Sequence, residues 1–261
     1  MKKFYFCIYM PNSKNIPKRS ITELVKENYV FAAVLHHFGI KFYLYGEKSL
    51  EEVCKKFKVK PIQLMEVLEK WASNKEPSSE ELYLHPIEVL VEYLRKKHYH
   101  FVCQQLPFLS HMIAGIQPSE AYKGLMDDLN LMFPLFVDDF IHHIHEEENT
   151  LFKRISLLHQ IENRQYSLLD ALKILEAKPT HDMALEHDAH DDEMEGIRKL
   201  TDNYKINKNT GIEIKVLYHH LQEFEKELII HARIENDLLF PKVIELEKEV
   251  KRKIQIQIQS N

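Results

Sequence analysis

Two segments of this chain, HIHEEENTLF beginning at His143 and HARIENDLLFP beginning at His231, share one pattern: a histidine, a glutamate four positions on, and Leu-Phe after three further residues. An α-helix turns about 100° per residue, so side chains at i and i+4 stand almost one above the other. Each His-Glu pair therefore converges on one point beside its helix. The apolar residues on the same face are Leu125, Leu129, Met132, Phe136 and Phe140 for the first pair, and Leu217, Phe224, Leu228 and Leu238 for the second. Both pairs thus fall in a stripe that faces a core. An ionised carboxylate buried there without a partner costs several kcal/mol. Any fold of this chain must supply each glutamate with a buried counter-charge.

The rest of the sequence offers histidines in matching places. His98 lies in a stripe with Ile87, Val91, Leu94, Phe101, Val102 and Leu109, while His187 shares a face with Met183, Met194 and Ile197. His98, His143, His187 and His231 with Glu147 and Glu235 make four imidazoles and two carboxylates, enough for a pair of metal ions bridged by carboxylates inside a helical bundle. Mixed imidazole and carboxylate ligands suit iron or manganese more than a closed structural zinc site, which usually uses thiolates.

Six glycines and ten prolines in 261 residues, with 44% hydrophobic residues, favour long helices and a sizeable core, so the expected class is all-α. Residues 1–18 read as a leader and 19–74 as a small helical domain, with capping boxes at Ser20/Glu23 and Ser49/Glu52. The stretch 75–84 reads as a linker. An up-down four-helix bundle is expected over 85–250, with long helices at about 86–115, 119–160, 180–203 and 211–250 and a short connecting helix over 167–177. Pro107 and Pro134 should kink or split their helices. The tail over 251–261, with its IQIQIQ alternation, reads as a strand or a loose end.

A net charge of −5 gives no reason to expect nucleic acid as a partner. No segment approaches the apolar length of a membrane span. Cys7, Cys54 and Cys103 have neither metal-like nor disulfide-like spacing, and with no secretory leader the expected location is the cytoplasm. His220 reads as a satisfied core histidine, His190 as a residue at the edge of its stripe, and Glu186 as a group that orients ligands. His36, His37, His142, His145 and His219 read as surface or packing residues. In the run Glu146, Glu147, Glu148 only the middle residue has the inward angle.

HIHEEENTLF, LEHDAHDDE and HARIENDLLFP resemble the hemerythrin-like domain of the di-iron iron–sulfur cluster repair proteins, the family known as repair of iron centres. The segment ITELVKENYVFAAVLHHFGIKFYLYGEKSLEEVCKKF resembles that family's small N-terminal domain, and the likeness covers roughly residues 20–245. The resemblance implies ligand roles for His143, Glu147, His187, His231 and Glu235, with both glutamates bridging two oxo- or hydroxo-bridged irons. On the first bundle helix, KKHYHFVCQQLP leaves His98, Tyr99 and His100 as candidates, and helical periodicity selects His98. Relatives carry adjacent cysteines where this chain has Tyr43 and Leu44. The implied function is repair of iron–sulfur clusters damaged by nitric oxide or oxidants, through iron donation or nitric oxide reactivity, with damaged iron–sulfur proteins as partners and a homodimer as the suggested assembly. The alternative is a hemerythrin-like module that binds O2 or nitric oxide without turnover.

Overall fold

The structure, a computed structural model, describes residues 16–72, 82–163, 168–188 and 193–259. Most of the expected leader, most of the expected linker and His190 lie outside the described residues, as does the side chain of Glu186. The described residues form an all-α fold without strands. Helices α1 (Ile21–Glu27), α2 (Val30–His37), α3 (Leu50–Phe57) and α4 (Pro61–Ala72) come first. They are followed by α5 (Ile87–His100), α6 (Leu106–Gly115), α7 (Lys123–Asn149), α8 (Leu151–Glu162), α9 (Leu168–Ala177), α10 (Thr180–Asp188) and α11 (Glu195–Leu200). The last two are α12 (Ile212–Ile234) and α13 (Phe240–Gln259).

The chain divides into two compact units. One comprises Met1–Glu76, Gln104–Asn130 and Leu200–Phe224. Here both expected capping boxes form, with the Ser20 and Ser49 hydroxyls accepting from the Glu23 and Glu52 amides and the two glutamates accepting in return. Ile21, Leu24, Phe31, Leu35, Leu50 and Leu64 are fully buried. His220 is satisfied as expected, donating from Nε2 to the Tyr29 carbonyl at 3.0 Å. The Tyr43 hydroxyl donates to the His111 carbonyl at 3.1 Å. A methyl group at Gly115 would overlap that phenol, so any larger residue there would have to displace the Tyr43 side chain.

The other unit comprises Pro77–Cys103, Leu131–Lys199 and Glu225–Asn261. Its apolar core joins Leu90, Leu94, Phe152, Leu158, Leu175, Leu239, Val243 and Ile254. The terminal segment is helical up to Gln259, not a strand or a loose end. Val243, Glu247, Val250 and Ile254 recur at helical spacing and are all buried, so the i+4 and i+3 steps override the short alternation. Met132, expected on the inward stripe of α7, is 43% exposed.

The prolines act differently from one another. Pro134 sits inside α7 without ending it. Pro107 follows a π turn over Phe101–Gln105, and Pro241 follows a second one over Glu235–Leu239. A proline has no N–H for the carbonyl four residues earlier and its ring clashes with it. Widening the helix by one residue just ahead of the ring relieves both faults. The helix over 119–160 is interrupted at Thr150 rather than at Pro134. There the Asn149 amide donates to the His145 carbonyl and the Thr150 hydroxyl to the Glu146 carbonyl, each at 2.7 Å, competing with the regular ladder.

A buried polar cluster anchors the start of α10. Glu247 of α13 accepts from the Thr180 amide at 3.3 Å and from the Thr180 hydroxyl, and pairs with Lys251 at 2.8 Å and Arg154 at 3.9 Å. Burial pushes the Glu247 carboxyl upward, but Lys251, Thr180 and Arg154 together hold it below its ordinary value of 4.5. The stability it contributes is present above that value and is lost as pH falls through the lower folded one. Glu247→Ala, which strands Arg154 in the core, is expected to cost about 3 kcal/mol in urea unfolding at pH 7. Glu247→Gln should remove part of the acid sensitivity below pH ~4.5 seen in the parent.

Candidate metal centre

Four helices and one π turn bring the six sequence-selected side chains together. His98 comes from the end of α5, His143 and Glu147 from α7, His187 from α10, His231 from α12, and Glu235 from the first position of the second π turn. Ligand atoms of His98, Glu147, His231 and Glu235 lie within 4.8 Å of one another, as do those of His143, Glu147 and His187. Glu147 belongs to both groups. Its Oε1 lies 2.8 Å from His143 Nε2 and 2.9 Å from His187 Nε2, while its Oε2 lies 3.2 Å from His98 Nε2. Glu235 also reaches both groups, with Oε2 at 3.1 Å from His231 Nδ1 and 3.3 Å from His187 Nε2.

The site is dry. The carboxylates of Glu147 and Glu235 are 5% and 1% exposed. Glu147 Oε2 and both oxygens of Glu235 are buried with no aligned hydrogen bond. Such atoms cost free energy unless a cation meets them. The donor set of nitrogens and carboxylate oxygens, with orphaned oxygens aimed inward, fits one or more metal ions. His98 Nε2 and His231 Nε2 face each other at 2.9 Å, as two imidazoles do when they share one proton or one ion.

Charge within the cluster follows the same logic. Burial raises the Glu147 carboxyl, but the imidazoles of His143, His187 and His98 outweigh it and hold it well below the ordinary glutamate value. Burial works against charge on His187, yet Glu147 and Glu235 push it up to about 11. His98 and His143 are likewise raised, against their burial, by Glu147. Glu193 is pushed upward, first by burial.

The duplicated motif also orients the rings of the cluster. The residue after each glutamate holds a histidine from another helix. Glu148 accepts from His98 Nδ1 at 3.0 Å, and Asn236 Oδ1 accepts from His187 Nδ1 at 2.9 Å. Each bond leaves Nε2 of that ring facing the interior. The motif phenylalanines back the same two rings: Phe152 stacks on His98 at 5.7 Å between centroids, and Phe240 lies 5.3 Å from His187. So each copy carries its own histidine, a shared glutamate, and a two-sided brace for a histidine of the other group.

Sequence reasoning selected the six inward side chains but read Glu148 as solvated face and passed over Asn236. The signal available was chemical: an imidazole that ligates through one nitrogen needs a partner for the other. Also missed were Glu193 and the Arg198–Glu225 ion pair, which line a cavity of about 70 Å³ beside the cluster. That cavity has room for a few water-sized molecules. It is bounded by His143, His187, His231 and Glu235, together with Phe140 and Ile229. Of the three candidates on α5, His98 is 3% exposed and Tyr99 64%. A π turn over Phe101–Gln105 separates them from Leu106-Pro107.

No family model matches the chain. Over 213 residues it is 24% identical to "Iron-sulfur cluster repair protein YtfE" of Musicola paradisiaca, an alignment covering 81% of this chain and 90% of the relative. Proteins of the same name from Yersinia pseudotuberculosis and Yersinia pestis are 24% identical over 172 residues, covering 64% of this chain and 70% of each relative. No helix among the described residues is long and apolar enough to cross a membrane.

Two outcomes are expected from the geometry. His98→Ala should lower bound metal per chain in elemental analysis, whereas Tyr99→Phe and His100→Ala should leave it at the parent level. In the metal-free protein the His187 proton, held up to about pH 11, stabilises the fold fully below its ordinary value of 6.5. That contribution fades as pH rises toward the folded value. A divalent ion has to displace the same proton, so metal affinity should increase with pH. Calorimetric titration at pH 7 in buffers of different ionisation enthalpy should show release of about one proton or more per chain.

Proposed function

We propose that this chain, which is similar over most of its length to iron–sulfur cluster repair proteins, holds a non-haem di-iron centre and serves the repair of iron–sulfur clusters damaged by nitric oxide or oxidants. The observation that carries the reading is the pair of glutamates that each reach both imidazole groups, with three buried carboxylate oxygens lacking an aligned hydrogen bond. One ion would be held by His98 and His231, the other by His143 and His187, and Glu147 and Glu235 would span the two. Bound iron supplies exchangeable metal and the capacity to bind small diatomic ligands. This chain's residues do the remainder. They bury the carboxylates, fix the ring nitrogens, and leave a small cavity beside His143, His187 and Glu235.

A second reading is a module that binds O2 or nitric oxide without repair. It is favoured by Tyr43 and Leu44 standing where the family resemblance expects adjacent cysteines. The Tyr43 phenol, tied to the His111 carbonyl, has no thiol chemistry to offer.

Protein purified without oxygen is expected to contain about two irons per chain by mass spectrometry, and zinc in their place would overturn the reading. Incubated with a nitric-oxide-damaged iron–sulfur enzyme, the loaded protein should restore that enzyme's activity, and Glu147→Leu should not. A reversible spectral change on exposure to O2 or nitric oxide, with no restoration, would select the binding module instead.

A further inference from the structure

The two halves of the cluster are alike in plan but not in chemistry. The ring of His98 is braced by a carboxylate, Glu148, whereas the ring of His187 is braced by a neutral amide, Asn236. A carboxylate behind an imidazole makes it a more basic ligand and forms the stronger, charge-assisted bond. Burial runs the same way. The side chains of His98 and His231 are 3% and 6% exposed, against 27% for His143 and 9% for His187. The cavity beside the cluster is lined by both His143 and His187 but by only one of the other pair, His231.

We propose that the two ion positions are unequal by construction. The position between His98 and His231 is the retained one, and the position between His143 and His187 is the exchangeable one. Glu148 and Asn236 set the difference as positioning residues, acting through the rings they hold rather than by touching the ion. The inference rests on the di-iron reading above and adds to it which side of the centre gives up its ion.

The test uses the full-length protein loaded with iron in the absence of oxygen and challenged with a chromophoric ferrous chelator. Release is followed by absorbance, and retained iron is measured by mass spectrometry. Two phases of equal amplitude are expected, the slow one at least about tenfold slower, with about one iron per chain retained between them. Glu148→Gln keeps a hydrogen-bonding group but removes the charge, and it should accelerate only the slow phase, by roughly tenfold. Asn236→Asp adds the charge on the other side and should slow only the fast phase. A variant that merely loosened the fold would speed both phases, so opposite effects on separate phases identify the positioning role. Two irons leaving in a single phase, or Glu148→Gln acting on the fast phase, would overturn the inference while leaving the di-iron reading intact. Iron-free or zinc-filled protein would remove the reading and the inference together.

Discussion

Everything in the second unit is arranged around two carboxylates that have no reason to be in a protein interior on their own. Glu147 and Glu235 are almost wholly removed from solvent, and among the described residues four imidazoles lie within ion-pair distance of one or both. Imidazole is the one side chain that answers a buried carboxylate in two ways, as a protonated cation or as a neutral co-ligand. The same six side chains can therefore answer the buried charge with protons or, were a metal bound, as its co-ligands.

The scaffold around the cluster is tied to it at several points. The start of the helix carrying His187 is tied to the last helix through Thr180 and Glu247, with Arg154 and Lys251 balancing the charge. The π turn that begins at Glu235 sits directly after the helical turn carrying His231. The rings of His98 and His187 are each gripped by a hydrogen bond on one nitrogen and a phenylalanine on the face or flank. Stability and ligand geometry are therefore served by the same residues, as expected where a site has to be preorganised.

Much of this was legible before any coordinates. The i, i+4 spacing of His143 with Glu147 and of His231 with Glu235 states a direction, and the apolar neighbours state that the direction is inward. The capping serines and the scarcity of glycine state the all-α class. What could not be read is information that lives between helices. Glu148 lies about 100° from Glu147 around its helix, which on a single-helix view is solvent. Only the approach of α5 turns it into the partner of His98. The terminal IQIQIQ run gave an alternating pattern over too few residues to compete with the longer helical stripe through Val243, Val250 and Ile254. Pro107 signalled a disturbance, but not that it would be absorbed as a widened turn instead of a kink.

Those widened turns bear on how such a chain can change over time. Removing one residue between Phe101 and Gln105 would restore ordinary winding and, by local criteria, a better helix. It would also rotate everything before the deletion by about 100° relative to everything after it, carrying the His98 ring out of the cluster. A deletion within 236–239 would likewise rotate α13, with Phe240 and Glu247, against the helix that carries His231 and Glu235. Length in these two stretches is therefore locked by chemistry many residues away, and drift toward a more regular backbone is closed to any descendant that still needs the centre.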